Sequence, residues 1–316
     1  MRQYKNLNYS DDFTVCYGSD NKKLKKIILH KDTKMIEKNA FSCFQKLKKV
    51  VFNDNLETIQ EEAFSGCRNL VTIENVNSLK SISPLSFAHC EQLEFDFKNT
   101  KIESIGTFAF ADRCAIKNIV LPKTLKSLEY GAFEWCIDLE FTDLSNTKIS
   151  ILPERCFSFC KKLANISFPS TLTQIELAAF MCTNFKKLDL GNLNVEEIGD
   201  RVFKECGNLS EIVLPQNLKS LGNHAFNGTN ITEFHLPDSL INIKDFIYGT
   251  KAKSIYYRNL NKQTLNNLKD ILNDLYLNNY NREIKLIPQD IDTLLEESRS
   301  FKEINNIYKK NPVFAR

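Results

Sequence analysis

Long apolar runs are missing from this chain of 316 residues. No stretch approaches the roughly 18 to 20 apolar residues of a membrane-spanning helix, so no integral membrane segment is expected. The N-terminal MRQYKNLNYSDDFTVCYGSD has neither an apolar run of signal-peptide length nor a small-residue cleavage site. The expected location is therefore the cytoplasm or the periphery of a cell surface. An excess of one charge sign is also missing. There are 42 Lys+Arg against 39 Asp+Glu, a net charge of +3, which gives no electrostatic reason to expect nucleic acid as partner. Glycine is scarce at 10 and tryptophan occurs once. No phosphate-cradling glycine loop, nucleophile elbow, H-E-x-x-H or paired Cys-x-x-Cys set is present, so neither catalysis nor a cofactor is expected. Hydrophobic residues are plentiful at 42%, which excludes wholesale disorder, and phenylalanine is abundant at 23.

The phenylalanines are periodic. Phe41, Phe64, Phe87, Phe110, Phe133, Phe157, Phe180, Phe203 and Phe226 are separated by 23 residues seven times and by 24 once, and Tyr248 follows 22 later. A small residue precedes most of them, as in Ala40, Ala63, Ala109, Ala132, Ala179 and Ala225. Five residues earlier runs an aliphatic column, including Ile36, Ile59, Ile82, Ile105, Leu128 and Leu152. Eight earlier runs another, including Leu56, Leu79, Ile102 and Leu125. Three later stand Cys67, Cys90, Cys136, Cys160 and Cys206, while Cys43, Cys114 and Cys182 lie one position off. A unit this short cannot bury its apolar face alone, so neighbours must stack into a continuous core. Cysteines recurring at one repeat position read as small buried hydrophobes, not as bridges or metal ligands.

Each unit carries a short alternation of apolar, variable, apolar, as in Ile119-Val120-Leu121, Ile212-Val213-Leu214 and Phe234-His235-Leu236. This predicts a strand. Pro122, Pro169, Pro215 and Pro237 follow four of them and end the strand for want of an N–H donor. The Ala-Phe-x-x-Cys segment is expected to be a short helical or turn-like return. These columns resemble the BspA-like class of leucine-rich repeat, L-x-x-I-x-L-P-x-x-L-x-x-I-x-x-x-A-F-x-x-C, most closely at residues 116 to 136 and 209 to 226. The resemblance implies an α/β solenoid of about ten 23-residue units with a parallel β-sheet on its concave face. The expected division is an N-terminal cap at 1–23, the solenoid at 24–257 and a helical cap or tail at 258–316. Two units, 93–110 and 139–157, show a strand phase slipped by a residue.

Alternation turns the middle residue of each triplet outward on that face. These residues are Ile28, Val51, Glu74, Asp96, Val120, Thr142, Ser167, Asp189, Val213, His235 and Tyr256. Flanking them are Lys26, Lys49, Glu94, Glu140, Glu211 and Glu233, with Thr72, Asn118, Asn165, Lys187 and Ser254. The face begins basic and apolar and becomes acidic. Repeat solenoids bind partners on such faces, so a protein or peptide is the expected partner, with Val120, Val213 and Tyr256 at its centre. Singly exposed valines also favour strands for their own sake. The resemblance implies surface-associated, host- or matrix-binding modules; a sensor or targeting module for an effector in another chain is a further reading.

The ends differ from the repeats. Residues 1 to 23 carry Tyr4, Tyr9, Phe13 and Tyr17 and read as a cap. KQTLNNLKDILNDLYLNNY, from about 262 to 280, sets Leu265, Leu268, Ile271, Leu272 and Leu275 on one helical stripe. A second helix is expected after Pro288, with Asp290 or Asp292 at its start. These helices read either as seals for the last rung or as docking elements. His30, His89, His224 and His235 fall at different repeat positions, against a shared catalytic role. The sequons at Asn8, Asn165, Asn208, Asn227 and Asn230 are read as silent.

Overall fold

The computed structural model describes residues 1–277 and 284–289. The chain coils into a β-solenoid of about eleven turns of ~23 residues. Each turn contributes two strand segments. Three-residue strands such as Lys26–Ile28, Lys49–Val51, Asn118–Val120 and Glu211–Val213 stack in parallel on what we call the long-strand face. Two-residue strands, from Met35–Ile36 to Asn242–Ile243, stack in parallel on a second side, in two sheets that part between Ser127–Leu128 and Ile151–Leu152. The α/β expectation is thereby corrected. Among the described residues the only α-helix is α1, Lys262–Leu277, outside the repeats.

The return segments explain the absence of helix. Residues two before and two after each column phenylalanine sit in the left-handed region, as at Asn39 (φ 57°), Cys43 (φ 59°), Arg155 (φ 54°) and Phe159 (φ 61°). Those residues turn their N–H groups to the next rung: Asn39 N donates to Glu61 O at 3.1 Å and Cys43 N to Ser65 O at 2.8 Å. A regular α-helix needs neither feature. None of these positions holds Val, Ile or Thr, which tolerate positive φ worst.

The core is a ladder of identical contacts. From Phe41 to Phe226 the nine rings stack with centroids 5.2 to 5.8 Å apart and planes within 20°. Tyr248 does not extend this stack. The unit is short, and Phe246 and Ile247 fill the core there, while Tyr248 is half-buried with its ring edge-on to His224.

The cysteine column has a specific bonding role. Cys67, Cys90, Cys136, Cys160 and Cys206 direct Sγ at the carbonyl of the column phenylalanine one rung back, at 3.0 to 3.2 Å. Cys114 does the same at 3.4 Å although it lies one residue off the column. All ten thiols are free; Cys43 is exposed, Cys182 half-buried and the rest buried. Burial pushes the thiols of Cys67, Cys114 and Cys206 up to about 12. A raised folded-state value means that stability is complete below the ordinary thiol value near 9.0 and falls as pH rises toward 12. Alkylation of the native protein should therefore modify Cys43 first and Cys182 slowly, with the remaining thiols reacting only after denaturation. Mass spectrometry of a timed alkylation checks this; early modification of Cys136 would contradict the packing.

Both ends of the core are closed. At the start, β1 (Arg2–Tyr4), β2 (Leu7–Tyr9) and β3 (Val15–Gly18) run antiparallel, and β3 continues in parallel onto Met35–Ile36. Leu7 and Tyr9 are buried beneath them. At the other end Asn261 Oδ1 accepts the Thr264 N–H at 2.9 Å, an N-cap for α1. Leu268 and Leu275 are buried, and Leu265, Ile271 and Leu272 are partly buried against the last rungs. The second expected helix lies outside the described residues. A strand not anticipated, Lys285–Pro288, pairs in parallel with Ser254–Tyr257 and extends the long-strand face by one rung.

Candidate functional site

The long-strand face presents two outward columns because its strands alternate. Ile27, Val50, Ile119, Leu188, Ile212, Phe234 and Ile255 point inward and are buried, so their neighbours on either side point out. The first outward column runs Lys26, Lys49, Thr72, Glu94, Asn118, Phe141, Asn165, Lys187, Glu211, Glu233, Ser254 and Lys285. The second runs Ile28, Val51, Glu74, Asp96, Val120, Asp143, Ser167, Asp189, Val213, His235, Tyr256 and Ile287.

Two expected face residues are misplaced. Thr142 is fully buried, aligned with Ile119 and Ile166 in the inward column. Glu140 is exposed but precedes the strand; its carbonyl accepts the Ala164 N–H at 3.1 Å. The unit between Phe133 and Phe157 holds one extra residue, but it follows the strand, which keeps the ordinary spacing of 23 from the rung before, so the expected slip is absent here. Phe141 and Asp143, which the sequence reading missed, take the outward places. Aligning Leu139 with Ile116 and Leu163 puts Thr142 in the inward column beside Ile119 and Ile166. In the 93–110 unit the strand phase does slip by a residue: Thr72 bridges Glu94, 22 residues on, whereas Lys49 and Thr72 pair at a spacing of 23. Phe95 and Phe97 are buried and Glu94 and Asp96 exposed; the ladder narrows to one bridge, Thr72 to Glu94.

Thr142 Oγ1 has no hydrogen-bond partner among the described residues. A buried hydroxyl without a partner costs about 1–3 kcal/mol of desolvation. Thr142→Val keeps the shape and removes the hydroxyl, so the protein should gain about 1 kcal/mol. A urea midpoint measures this; a lower midpoint would contradict the assigned environment.

Electrostatically the face is uneven. Lys49 pairs with Glu74 at 2.5 Å, and Lys187 pairs with Glu211. His235 stacks on Tyr256 with centroids 4.5 Å apart and planes 7° from parallel, and Gln289 Nε2 lies 3.1 Å from His235 Nδ1. Val213 is 43% exposed beside them in the same column. The short-strand side carries instead a series of rung-to-rung ion pairs, Lys38–Glu61, Lys80–Glu57, Lys126–Glu103 and Lys219–Glu196, which satisfy one another. Among the described residues no group of three or more His, Cys, Asp or Glu side chains is placed to hold a metal ion, and no helix is long and apolar enough to cross a membrane. A shallow groove on the turn edge, lined by Cys43, Gln45, Ser65, Gly66, Arg68 and His89, brings none of the long-strand columns together.

Comparison with known proteins agrees with this architecture. The model of the BspA type leucine rich repeat region matches residues 16–140 and 126–256, with six copies. A leucine-rich repeat protein from Bacteroides ovatus is similar in structure, with a TM-score of 0.62 at 20% identity, covering 89% of this chain and 74% of that one. A leucine-rich repeat protein of T. pallidum aligns at TM-score 0.49 and 22% identity over 56% of this chain and 85% of its own. The pneumococcal vaccine antigen PcpA aligns at 0.44 and 17% over 88% and 83%. No curated protein sequence matches. The repeat match spans most of the chain, from the strand of the N-terminal hairpin that joins the parallel sheet to the last full rung: the chain belongs to the BspA type leucine rich repeat family.

Proposed function

We propose that the long-strand face, as the concave side of the solenoid, binds a protein or peptide, and that the chain is a recognition scaffold and not an enzyme. The observation that carries this reading is the pair of outward columns. They recur rung after rung from Lys26 to Lys285, across four successive parallel ladders, and their aliphatic and aromatic members Val120, Val213, His235 and Tyr256 stand among charged side chains. Apolar centres within a polar rim are the usual anatomy of a protein interface. The short-strand side carries self-satisfied ion-pair ladders, which leave less unmet charge for a partner.

The test is partner capture by the wild type against the Val120→Glu, Val213→Glu variant. Both positions are outside the core, so thermal unfolding should be nearly unchanged. Recovery of specific partners should fall by about tenfold or more, as burying an unpaired carboxylate in an interface costs at least 1.4 kcal/mol. Equal recovery would remove the face from the account. Family membership also supports a second reading, an adhesive module at a cell surface, which predicts binding to immobilised matrix proteins through this same face.

A further inference from the structure

The protein-binding reading of the long-strand face leaves the chemistry of its partner open, and the charge pattern narrows it. From Glu74 to Ile287 the two outward columns contain seven carboxylates and two lysines, Lys187 and Lys285, on a chain whose net charge is +3. Glu74 and Glu211 are neutralised by Lys49 and Lys187. Glu94, Asp96, Asp143, Asp189 and Glu233 form no ion pair with a described residue. Asp96, Asp143 and Asp189 each accept one N–H from the turn that follows them, at 2.8 to 2.9 Å, which uses one carboxylate oxygen and leaves the charge in place. Glu233 stands one rung beyond Glu211 and two beyond Asp189, so the unpaired charges of Asp189 and Glu233 fall on one stretch of the face.

At the C-terminal end these charges flank an apolar stripe in the adjoining column: Val213, the stacked His235–Tyr256 pair and Ile287. Aromatic faces beside unpaired carboxylates are the surroundings that a guanidinium or ammonium group on an aliphatic stem satisfies on both counts. Acidic partners and nucleic acid meet repulsion here.

We propose that the C-terminal half of this face, from Asp143 to Ile287, takes a basic, extended segment of another protein. Its Arg or Lys heads lie against Asp189, Glu233 and the His235–Tyr256 pair, and its apolar side chains lie against Val213 and Ile287. The proposal rests on the protein-binding reading but can fail separately from it.

The experiment is fluorescence anisotropy on the full chain with a labelled peptide alternating arginine and leucine, and with its glutamate-for-arginine counterpart. The basic peptide should bind saturably. Affinity should fall about tenfold in the Asp189→Lys, Glu233→Lys variant and weaken as salt rises from about 50 to about 300 mM. Lys46→Glu, exposed and outside the face, should leave it unchanged. Equal binding of the acidic peptide, or affinity within about twofold in the reversal variant, overturns the proposal. Absence of peptide binding while Val120→Glu, Val213→Glu still abolishes partner capture overturns it too and leaves the face as a protein-binding surface. Sedimentation of the chain alone supplies the remaining outcome: a dimer lost on Glu233→Lys would assign the face to a second copy and overturn the basic-segment proposal.

Discussion

Phe133→Ala is expected to cost about 4 kcal/mol of stability. The ring is fully buried, stacked on Phe110 at 5.5 Å and 10° and on Phe157 at 5.5 Å and 2°, with Phe97 edge-on at 5.8 Å. Backbone hydrogen bonds fix the rung on both sides, Phe110 N to Ala132 O and Phe133 N to Cys156 O, so the cavity cannot close by sliding a turn. Transfer and cavity terms therefore add. Because each rung touches only its neighbours, the loss concentrates at one interface in mid-solenoid. Urea unfolding should shift to a lower midpoint and separate into two phases as the halves uncouple. Phe141→Ala, on the outward column, removes the same ring where it is only half-buried and should cost about 1 kcal/mol or less. Equal losses for the two variants would contradict the assignment of inward and outward columns.

Gly18→Ala should be the most damaging single-methyl change in the chain, at about 2–4 kcal/mol. Gly18 has φ +101°, a conformation that side-chain-bearing residues avoid, and its chain runs against the first return segment. A Cβ there would lie 2.0 Å from Ala40 O and 2.7 Å from the Ala40 carbonyl carbon, which is backbone and cannot swing aside. The hairpin of β1 and β2 would be pushed off the first rung, uncovering Tyr9 and Cys16. Limited proteolysis should cut the variant within its first twenty or so residues, while the wild type resists. Gly207→Ala is the matched control. Its nearest neighbour would be Gly228 O at 3.9 Å, and stability should change little. Equal behaviour of the two alanine variants would contradict the close approach at Gly18.

Some of this architecture was legible in the residues and some was not, for physical reasons. The phenylalanine column was legible because each ring meets the same environment one turn later, so the core demands the same side chain every ~23 residues. The short-strand side was not. Its strands are two residues long, as in Met35–Ile36, too short for alternation to be seen. The sequence leaves the return segment open between helix and turn because positive φ at ordinary residues such as Asn39 and Arg155 leaves no mark in composition. Most outward positions were found, including Ile28, Val51, Val120, Asp189 and His235, since alternation from a buried neighbour is a local rule. Thr142 and Glu140 were misplaced because an aromatic within an alternation reads as an inward residue, so Phe141 was given the core place that Thr142 holds; the Leu139 column is the safer anchor. Lys285–Pro288 was missed because its partner, Ser254–Tyr257, lies across a whole helix in sequence and Pro288 reads as a break.

Covalent footprinting of a captured complex tests the central claim most directly. Lysine acylation and carboxyl amidation are quantified residue by residue with and without the bound partner. The account predicts protection of Lys187, Asp189, Glu233 and Lys285 on the long-strand face, with Lys38, Lys80, Lys126 and Lys219 on the short-strand side labelled as before. Protection of those four lysines, with the long-strand residues still open to reagent, would contradict it.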